Sequence, residues 1–551
     1  MAPPFPEQDD ETIVPLGQYL FGDQIDDSFR DKIFLTEGKT GKQITYGQLE
    51  QQAQSLAKSM LSLLGIEPDD ICAIMGDSSI QYVTIISACL LLNVPYTSIA
   101  AVFSSFYLGQ QLDRTQAKCL FIARYHYPKL ERLLQQKQYS HYKNRLKVVI
   151  FENDQSDNPI GGYSTIEKLI TAFQDSGENN NRIKTTVPYF SKSLDSTVTI
   201  VFTSGSTGIP KGACHTHRTI LNNMIHLKRF EAMKPYHRLP TLLSYPVGHL
   251  SGNSLLFFLM ATQTPIILLD YSQIDRLFET IEKYHVGQVY GASSVMNLLA
   301  KNHRGHDISN IRLVMAGGSK LSSGTADILF HQLGIKILDA YGSTECIFIS
   351  ANDRLDRVPD NVGQVLGCYQ MKLMDLVTKE TITSPGKSGE ICLCGSSMFR
   401  EYYNNPEEMK RAFDDDGWFH TGDIGQLDLQ GNLRIVDRIK ELIKYNGYSV
   451  FPADIECCLM NHPAVTAIVV VPVKHRKYNQ VPRAYVIINE DQITIKELET
   501  YANENLGYHQ RLRGGIIQIH DKQLESTSMG KVDRQYYKRF CADECLDFID
   551  D

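Results

Sequence analysis

The chain has no apolar run long enough to cross a bilayer. Its longest, "YVTIISACLLLNVPY" and "LLFFLMATQTPIILL", are broken by Ser, Asn, Thr, Gln or Pro and fall short of the ~18 apolar residues that a span requires. Both read as buried core. Basic charge is not in excess: 55 Lys and Arg against 63 Asp and Glu leave a formal charge of -8. No Lys/Arg cluster marks an anionic partner, which excludes nucleic acid from the expected partners. Twelve cysteines are present, yet none has the C-x2-C pairing of a zinc site. Cys392 with Cys394, the adjacent Cys457 and Cys458, and Cys541 with Cys545 read as small buried hydrophobes in a reducing compartment. The start, "MAPPFPEQDDETIVPLG", lacks the basic-then-apolar order of a secretory leader, and the end, "LDFIDD", lacks a Ser-Lys-Leu type address. The expected location is cytoplasmic by default, with the peroxisome left open. No internal repeat and no low-complexity segment is evident.

What is present is alternation. A chain of 551 residues exceeds the ~250–300 at which single cores stop growing, so at least two domains are expected. From about Phe34 to Phe121 short apolar strands alternate with amphipathic helices, as in "ITYGQLEQQAQSLAKSMLSLLGI" followed by "DICAIMGDS". The same grammar returns at "KCLFIARYH", "LKVVIFEND", "TPIILLD", "VGQVYGAS", "IRLVMAGGS" and "IKILDAYGS", each an apolar run ending in small or polar residues. This is doubly wound α/β patterning, in which ligands gather outside the carboxyl ends of the strands. Near "GEICLCGSSMFREYYN" and "GWFHTGDIGQLDLQGNLRIVDR" the texture changes to short strands with Gly and Asp turns, an antiparallel or barrel-like piece. After Arg438 a unit of roughly a hundred residues follows, a single-domain size. The expected division is 1–437 and 438–551.

One loop stands out. "TSGSTGIPKG", Thr203 to Gly212, leaves the β-branched run "STVTIVF". Glycine allows its N–H groups to curl toward one point, Ser204, Ser206 and Thr207 add hydroxyl donors, and Lys211 adds charge, a nest suited to phosphate oxygens. With Lys211 between Pro210 and Gly212, the P-loop order G-x-x-x-x-G-K-[ST] is not met. A flexible Gly/Ser surface loop is the competing reading.

The stretch resembles the phosphate loop of the adenylate-forming superfamily: acyl- and aryl-CoA ligases, peptide-synthetase adenylation domains and beetle luciferases. Further motifs in that family's order run out to Arg534, and "TYGQLE" around Tyr46 resembles its beginning. The resemblance implies a large N-terminal domain of doubly wound α/β sheets plus a distorted β-barrel, with a small mobile α+β C-terminal domain. Residues implied to hold ATP or AMP are Thr203, Ser204, Gly205, Ser206, Thr207, Gly208 and Lys211 in the loop. In "AGGSK" they are Gly317, Gly318 and Ser319, on a turn facing adenine and the acyl carbonyl. "DAYGSTE" implies Tyr341 stacked on adenine, Asp339 at its amino edge, Ala340 and Gly342 beside them, Thr344 near the α-phosphate and Glu345 on Mg2+. His249 in "YPVGHLSG" falls beside the acyl carboxylate, where Gly248 replaces the usual aromatic. Asp423 and Arg438 are implied ribose ligands, a carboxylate and a guanidinium fork matching the two hydroxyls. Lys440 is the implied hinge, and Lys444 and Gly447 serve the thioester step. Lys531 in "STSMGKVDR" is the implied catalytic lysine; the proline common near that motif's start is missing, with Glu525 in its neighbourhood.

The implied activity is a two-step ligation: acid and Mg-ATP give acyl-AMP and pyrophosphate, then coenzyme A gives acyl-CoA and AMP. The branch that looks most similar is that of 4-coumarate-CoA ligases, luciferases and fatty acyl-CoA synthetases, which points to a fatty or aryl/hydroxycinnamic acid. A luciferase-like oxygenase, a carrier-loading adenylation enzyme and an inactive nucleotide-binding scaffold stay open. The expected assembly is a monomer or homodimer. The acyl pocket is expected from Tyr245 to Asn253, Ala316 to Ser319 and Tyr341 to Phe348, with Ile347 and Phe348 giving it an apolar end.

Overall fold

The structure, a computed structural model, describes residues 14–22, 25–100, 104–151, 161–173, 193–203, 211–352, 355, 361–446, 448–520, 524–526 and 532–547. It is mixed α/β, with four sheets and a separate C-terminal unit.

Two large sheets form the body, one of eight strands and one of nine. Their central strands pair in parallel, as Cys72–Met75 does with both Tyr96–Ile99 and Cys119–Ala123. Every residue of Cys72–Met75 and Cys119–Ala123 is buried. Strands covered on both faces must be apolar throughout, which is why these segments carry no two-residue alternation. The covering helices start where a side chain can satisfy their first N–H groups. Ser79 accepts from Tyr82 N at the head of Ile80–Leu92, and capping boxes at Thr45 and Thr216 open Tyr46–Ser62 and His217–Lys228. Ile80–Leu92 is buried nearly all round, and its chain turns at Asn93 (φ 56°).

A third sheet of five antiparallel strands spans Tyr369 to Arg438, with Ser388–Gly395 in its centre beside Phe419–Leu427. Its register sets Asp423 opposite Arg438. A second hydrophobic core begins at Ile443 and runs to Cys541, built on the long hairpin Val465–His475 and Asn479–Ile488. The C-terminal unit meets the body through Lys301 Nζ on Val465 O (2.7 Å), Asn297 Nδ2 on Thr466 O (3.2 Å) and Gly324 N on Asn461 Oδ1 (3.2 Å). Among the described residues no helix is long and apolar enough to cross a membrane.

Candidate active site

The carboxyl ends of the parallel strands converge on a cavity of about 1320 Å³. Leu313–Gly317 and Lys336–Ser343 lie side by side with Ala316 opposite Asp339 and Gly317 opposite Ala340, so the turns that follow them open at the same level. A Cβ at Gly317 would stand 3.0 Å from Ala340 O, a tight approach, and Gly318 has a φ of +80°, which calls for glycine. Of the residues expected from sequence, Lys211, His249, Gly317, Gly318, Ala340, Gly342, Thr344, Glu345, Asp423, Arg438 and Lys440 line this cavity. Ser319, Asp339, Tyr341 and Lys444 are described but do not line it. Thr203 ends its strand opposite Lys211. Ser204, Gly205, Ser206, Thr207, Gly208, Gly447 and Lys531 lie outside the described residues. Ser526 and Val532, which pair as a bridge on either side of the 527–531 segment, line the cavity.

At one end stands a buried carboxylate with two partners. Asp423, 3% exposed, accepts from Arg438 Nε at 2.8 Å and from the Tyr341 hydroxyl at 2.7 Å. Burial first and then Asp423 push the Tyr341 phenol well above its usual range, and the Asp423 charge holds Arg438 more firmly protonated. Each carboxylate oxygen retains a lone pair, so this pair can also accept from vicinal hydroxyls. Burial followed by the neighbouring Arg438 lowers the Lys440 ammonium below its ordinary value.

At the other end Lys211 is held by an ion pair with Glu408 and lies 5.3 Å from the centre of the Tyr402 ring. The Tyr402 hydroxyl donates to Glu345 Oε1 at 2.8 Å. The Lys211 hydrogen bond is the main favourable cause that lowers the Glu408 carboxyl, and Arg411 reaches its other oxygen at 2.8 Å. Beneath Glu345, the His215 ring approaches Thr344 O through Nε2 at 2.7 Å, and burial pulls this imidazole down to about 4. His249 caps the Leu250–Ala261 helix, its Nδ1 accepting from Ser251 N at 3.3 Å. A Cβ at Gly248 would meet Tyr82 Oη at 2.6 Å; Tyr82 fills the space that a side chain at 248 would need.

Sequence reasoning missed Tyr402, Glu408 and His215. Nothing in their spacing links them to Lys211 or Thr344, because the contacts span 57 residues for Tyr402 with Glu345 and 129 for His215 with Thr344. The one available signal is the first histidine of "CHTH", an imidazole set in a strand whose preceding residues from Gly212 to Cys214 are apolar or small.

Residues 23–403 match the family of AMP-binding enzymes, and residues 454–531 match the AMP-binding enzyme C-terminal domain. The chain belongs to the AMP-binding enzyme family. It is 27% identical to the 4-coumarate–CoA ligase CCL1 of Humulus lupulus, over 95% of this chain and 93% of that one. It is 28% identical to the luciferin 4-monooxygenase of Luciola mingrelica, over 92% of each. Among solved structures, the anthranilate CoA ligase AuaEII in complex with anthranoyl-AMP shares the fold with a TM-score of 0.82 at 20% identity, covering 96% of this chain and 97% of its own. ATP-bound MatB from Rhodopseudomonas palustris gives 0.80 at 20% identity, over 96% and 99%. Asp423, Arg438, Lys211 and Glu345 thus bring two carboxylates, a guanidinium and an ammonium to the lining of a single cavity.

Proposed function

We propose that this AMP-binding enzyme is an ATP-dependent carboxylic acid–CoA ligase that joins a fatty or aryl/hydroxycinnamic acid to coenzyme A through an acyl-AMP. The observation that carries the reading is the Asp423–Arg438 pair, braced from behind by the Tyr341 hydroxyl, standing in one cavity with Lys211 and Glu345, flanked by the described ends of the segment that holds Lys531. The relatives named above support the thioester outcome.

In this reading Asp423 and Arg438 hold the ribose, and Lys211 exchanges Glu408 for the β- and γ-phosphates. A lysine that binds the departing pyrophosphate need not touch the reacting phosphorus. Lys531 does that, placing an ammonium where charge gathers on the equatorial and bridging oxygens, an interaction stronger in the transition state than in the ground state. Magnesium seeks few carboxylates together with phosphate oxygens. Glu345 fits, one carboxylate lining the cavity with a tyrosine hydroxyl on one of its oxygens, and the ion would supply charge neutralisation there. Lys440 lies between the Leu433–Arg438 strand and the second core, where a small φ/ψ change would swing the C-terminal unit and bring Lys444 and Gly447 toward a pantetheine thiol. The division at 437/438 belongs to this proposal, as do a cytosolic location and a monomeric or dimeric state.

The experiment is a pyrophosphate-release screen over fatty, aryl and hydroxycinnamic acids, with and without coenzyme A, in wild type and Lys531→Ala. Adenylate formation in the variant should fall by about 10²–10³-fold while thioester formation from supplied acyl-AMP persists. Equal loss of both half-reactions would refute the division of labour. Light or oxygen uptake in place of a thioester would favour the oxygenase reading that the luciferase relative raises.

A further inference from the structure

Under the ribose end of the cavity lies a cluster that the reaction does not use. Glu390 and Cys392 stand two residues apart on the Ser388–Gly395 strand, and Cys392 is directly opposite His420 on Phe419–Leu427. Strand alternation puts Glu390 and Cys392 on one face, and the register shift between them draws both toward the same imidazole. Cys392 Sγ is 3.7 Å from His420 Nδ1, and Glu390 Oε2 is 3.0 Å from that nitrogen. Among the described residues this is the single group of three such side chains whose ligand atoms all lie within 4.8 Å of one another.

We propose that Glu390, Cys392 and His420 form a binding site for a zinc-class divalent cation. Zinc bonds of ~2.3 Å to sulfur and ~2.0–2.1 Å to nitrogen or oxygen, at tetrahedral angles, put ligand atoms about 3.6 Å apart for S···N and about 3.3 Å apart for O···N. The two measured separations lie within a few tenths of an ångström of these, so the ligands close on an ion with little rearrangement. The donor set of thiolate, imidazole and carboxylate selects zinc over magnesium or calcium, which take oxygen ligands. The ion is therefore chemically distinct from the one at Glu345. Binding displaces the thiol proton to solvent, and the thiolate with Glu390 then balances the dication. An outer partner stands close by: Asp414 Oδ2 is 3.7 Å from His420 Nε2 and is itself held by Lys372 at 3.3 Å, so a shift of under an ångström would complete the carboxylate–histidine hydrogen bond that orients a ligating ring. Glu390 is 7% and Cys392 0% exposed, while Glu390 and His420 line the cavity. The ion arrives from the cavity, which leaves its fourth position for water. Glu390 Oε1 meanwhile accepts from Gly422 N at 3.3 Å, one residue before Asp423, so the cation stands one hydrogen bond from the turn that carries the ribose carboxylate.

The test uses the full-length chain stripped of metal and titrated with Zn2+ alone against a chromophoric chelator, and separately with Cd2+ to read the thiolate-to-metal charge-transfer band. The expected result is one tight equivalent in wild type with a Cd2+ band. Cys392→Ser should remove the band and weaken Zn2+ by roughly 100-fold or more, and Asp414→Asn should keep the band and weaken Zn2+ about 10–100-fold. Cys394→Ser, on the same strand but outside the cluster, should change neither. His420→Asn repeats the ligand test should Cys392→Ser fail to fold. Absence of an equivalent site in wild type, or an unchanged affinity and band in the ligand variants, overturns the proposal, and neither readout depends on ATP or acid.

Discussion

Ile347 lies at a backbone position that isoleucine avoids. Its φ is +58°, where a β-branched side chain is an outlier costing about 1–2 kcal/mol. It pairs with Ser343 at the start of the Ile347–Ala351 strand, just before the register shift between Gly342 and Tyr341, with its carbonyl oxygen 1.9 Å from the place a Cβ on Gly342 would take. It is 5% exposed and lines the cavity. Replacing it by Ala removes buried carbons, a loss of about 2–5 kcal/mol, yet leaves a Cβ in the strained conformation. Replacing it by Gly removes one methyl more but releases the strain. At an ordinary strand position Gly is less stable than Ala by roughly 0.5–1 kcal/mol. Here the release of about 1–2 kcal/mol reverses the order, so Ile347→Gly should exceed Ile347→Ala by about 0.5–1 kcal/mol. For a cooperative unit of roughly 400 residues that is about 1 °C in the thermal midpoint, measurable by scanning calorimetry on matched samples. Both variants should melt below wild type. An Ala variant equal to or above the Gly variant would show that no strain is stored at 347, and the argument would fail.

Two further tests address the phosphate end and the buried histidine. In the proposed mechanism Lys211 must leave Glu408 to reach a nucleotide, and the pair is partly buried, with side chains 15% and 14% exposed. Glu408→Ala should therefore tighten ATP about fivefold, near 1 kcal/mol, by isothermal titration; weaker or unchanged binding would instead make Glu408 part of the bound state. His215, fully buried with its imidazole pulled from 6.5 to about 4, contributes stability that is present above pH 6.5 and lost as the pH falls toward 4, up to about 3 kcal/mol. Asp270 and Asp437, raised to about 6 mainly by burial, act oppositely, losing stability as the pH rises through 6. His215→Asn, which keeps a donor for Thr344 O but cannot titrate there, should thus show a shallower fall in melting midpoint from pH 6.5 to 4.5 than wild type, and an identical slope would assign the acid sensitivity elsewhere.

The strands are legible because burial on both faces writes itself into sequence. "IRLVMAGGS", "IKILDAYGS" and "KCLFIARYH" contain Leu313–Gly317, Lys336–Ser343 and Cys119–Ala123, and each ends where side chains shrink. Helix signals are legible too: "ITIKELETYANENL" carries a Thr followed three residues later by Glu, and the helix Ile495–Asn505 is opened by that Thr494–Glu497 capping box. The site is legible only in part, because motifs name residues without naming their partners. Asp423 and Arg438 are expected to share a sugar; that they also grip one another follows from an antiparallel register no spacing encodes. Tyr341 is expected to offer its ring, and its hydroxyl proves to be committed to Asp423. The close cysteines read as plain core, which holds for Cys392, Cys394 and Cys541 but not for the half-buried Cys457 and Cys458 or the exposed Cys545, and it overlooks that Cys392 faces a histidine from the neighbouring strand.

Arg534 carries this reasoning one step further. In sequence it is the last residue of the closing motif, three after Lys531, and a charged residue so placed invites a role at the nucleotide. Its guanidinium is spent elsewhere: it donates to Glu456 at 2.6 and 3.0 Å and to Val470 O, with Glu441 at 3.7 Å. Glu456 lies on the Pro452–Met460 helix and Val470 on the long hairpin, both within the second core. A bidentate, largely buried pair of this kind is costly to break. It fixes the chain immediately after Lys531 to the body of the C-terminal unit, so the lysine can be delivered and withdrawn by moving that unit as a whole. Under the proposed two-step mechanism Arg534 would be a positioning residue, and motion of this unit about Lys440 would separate the two half-reactions.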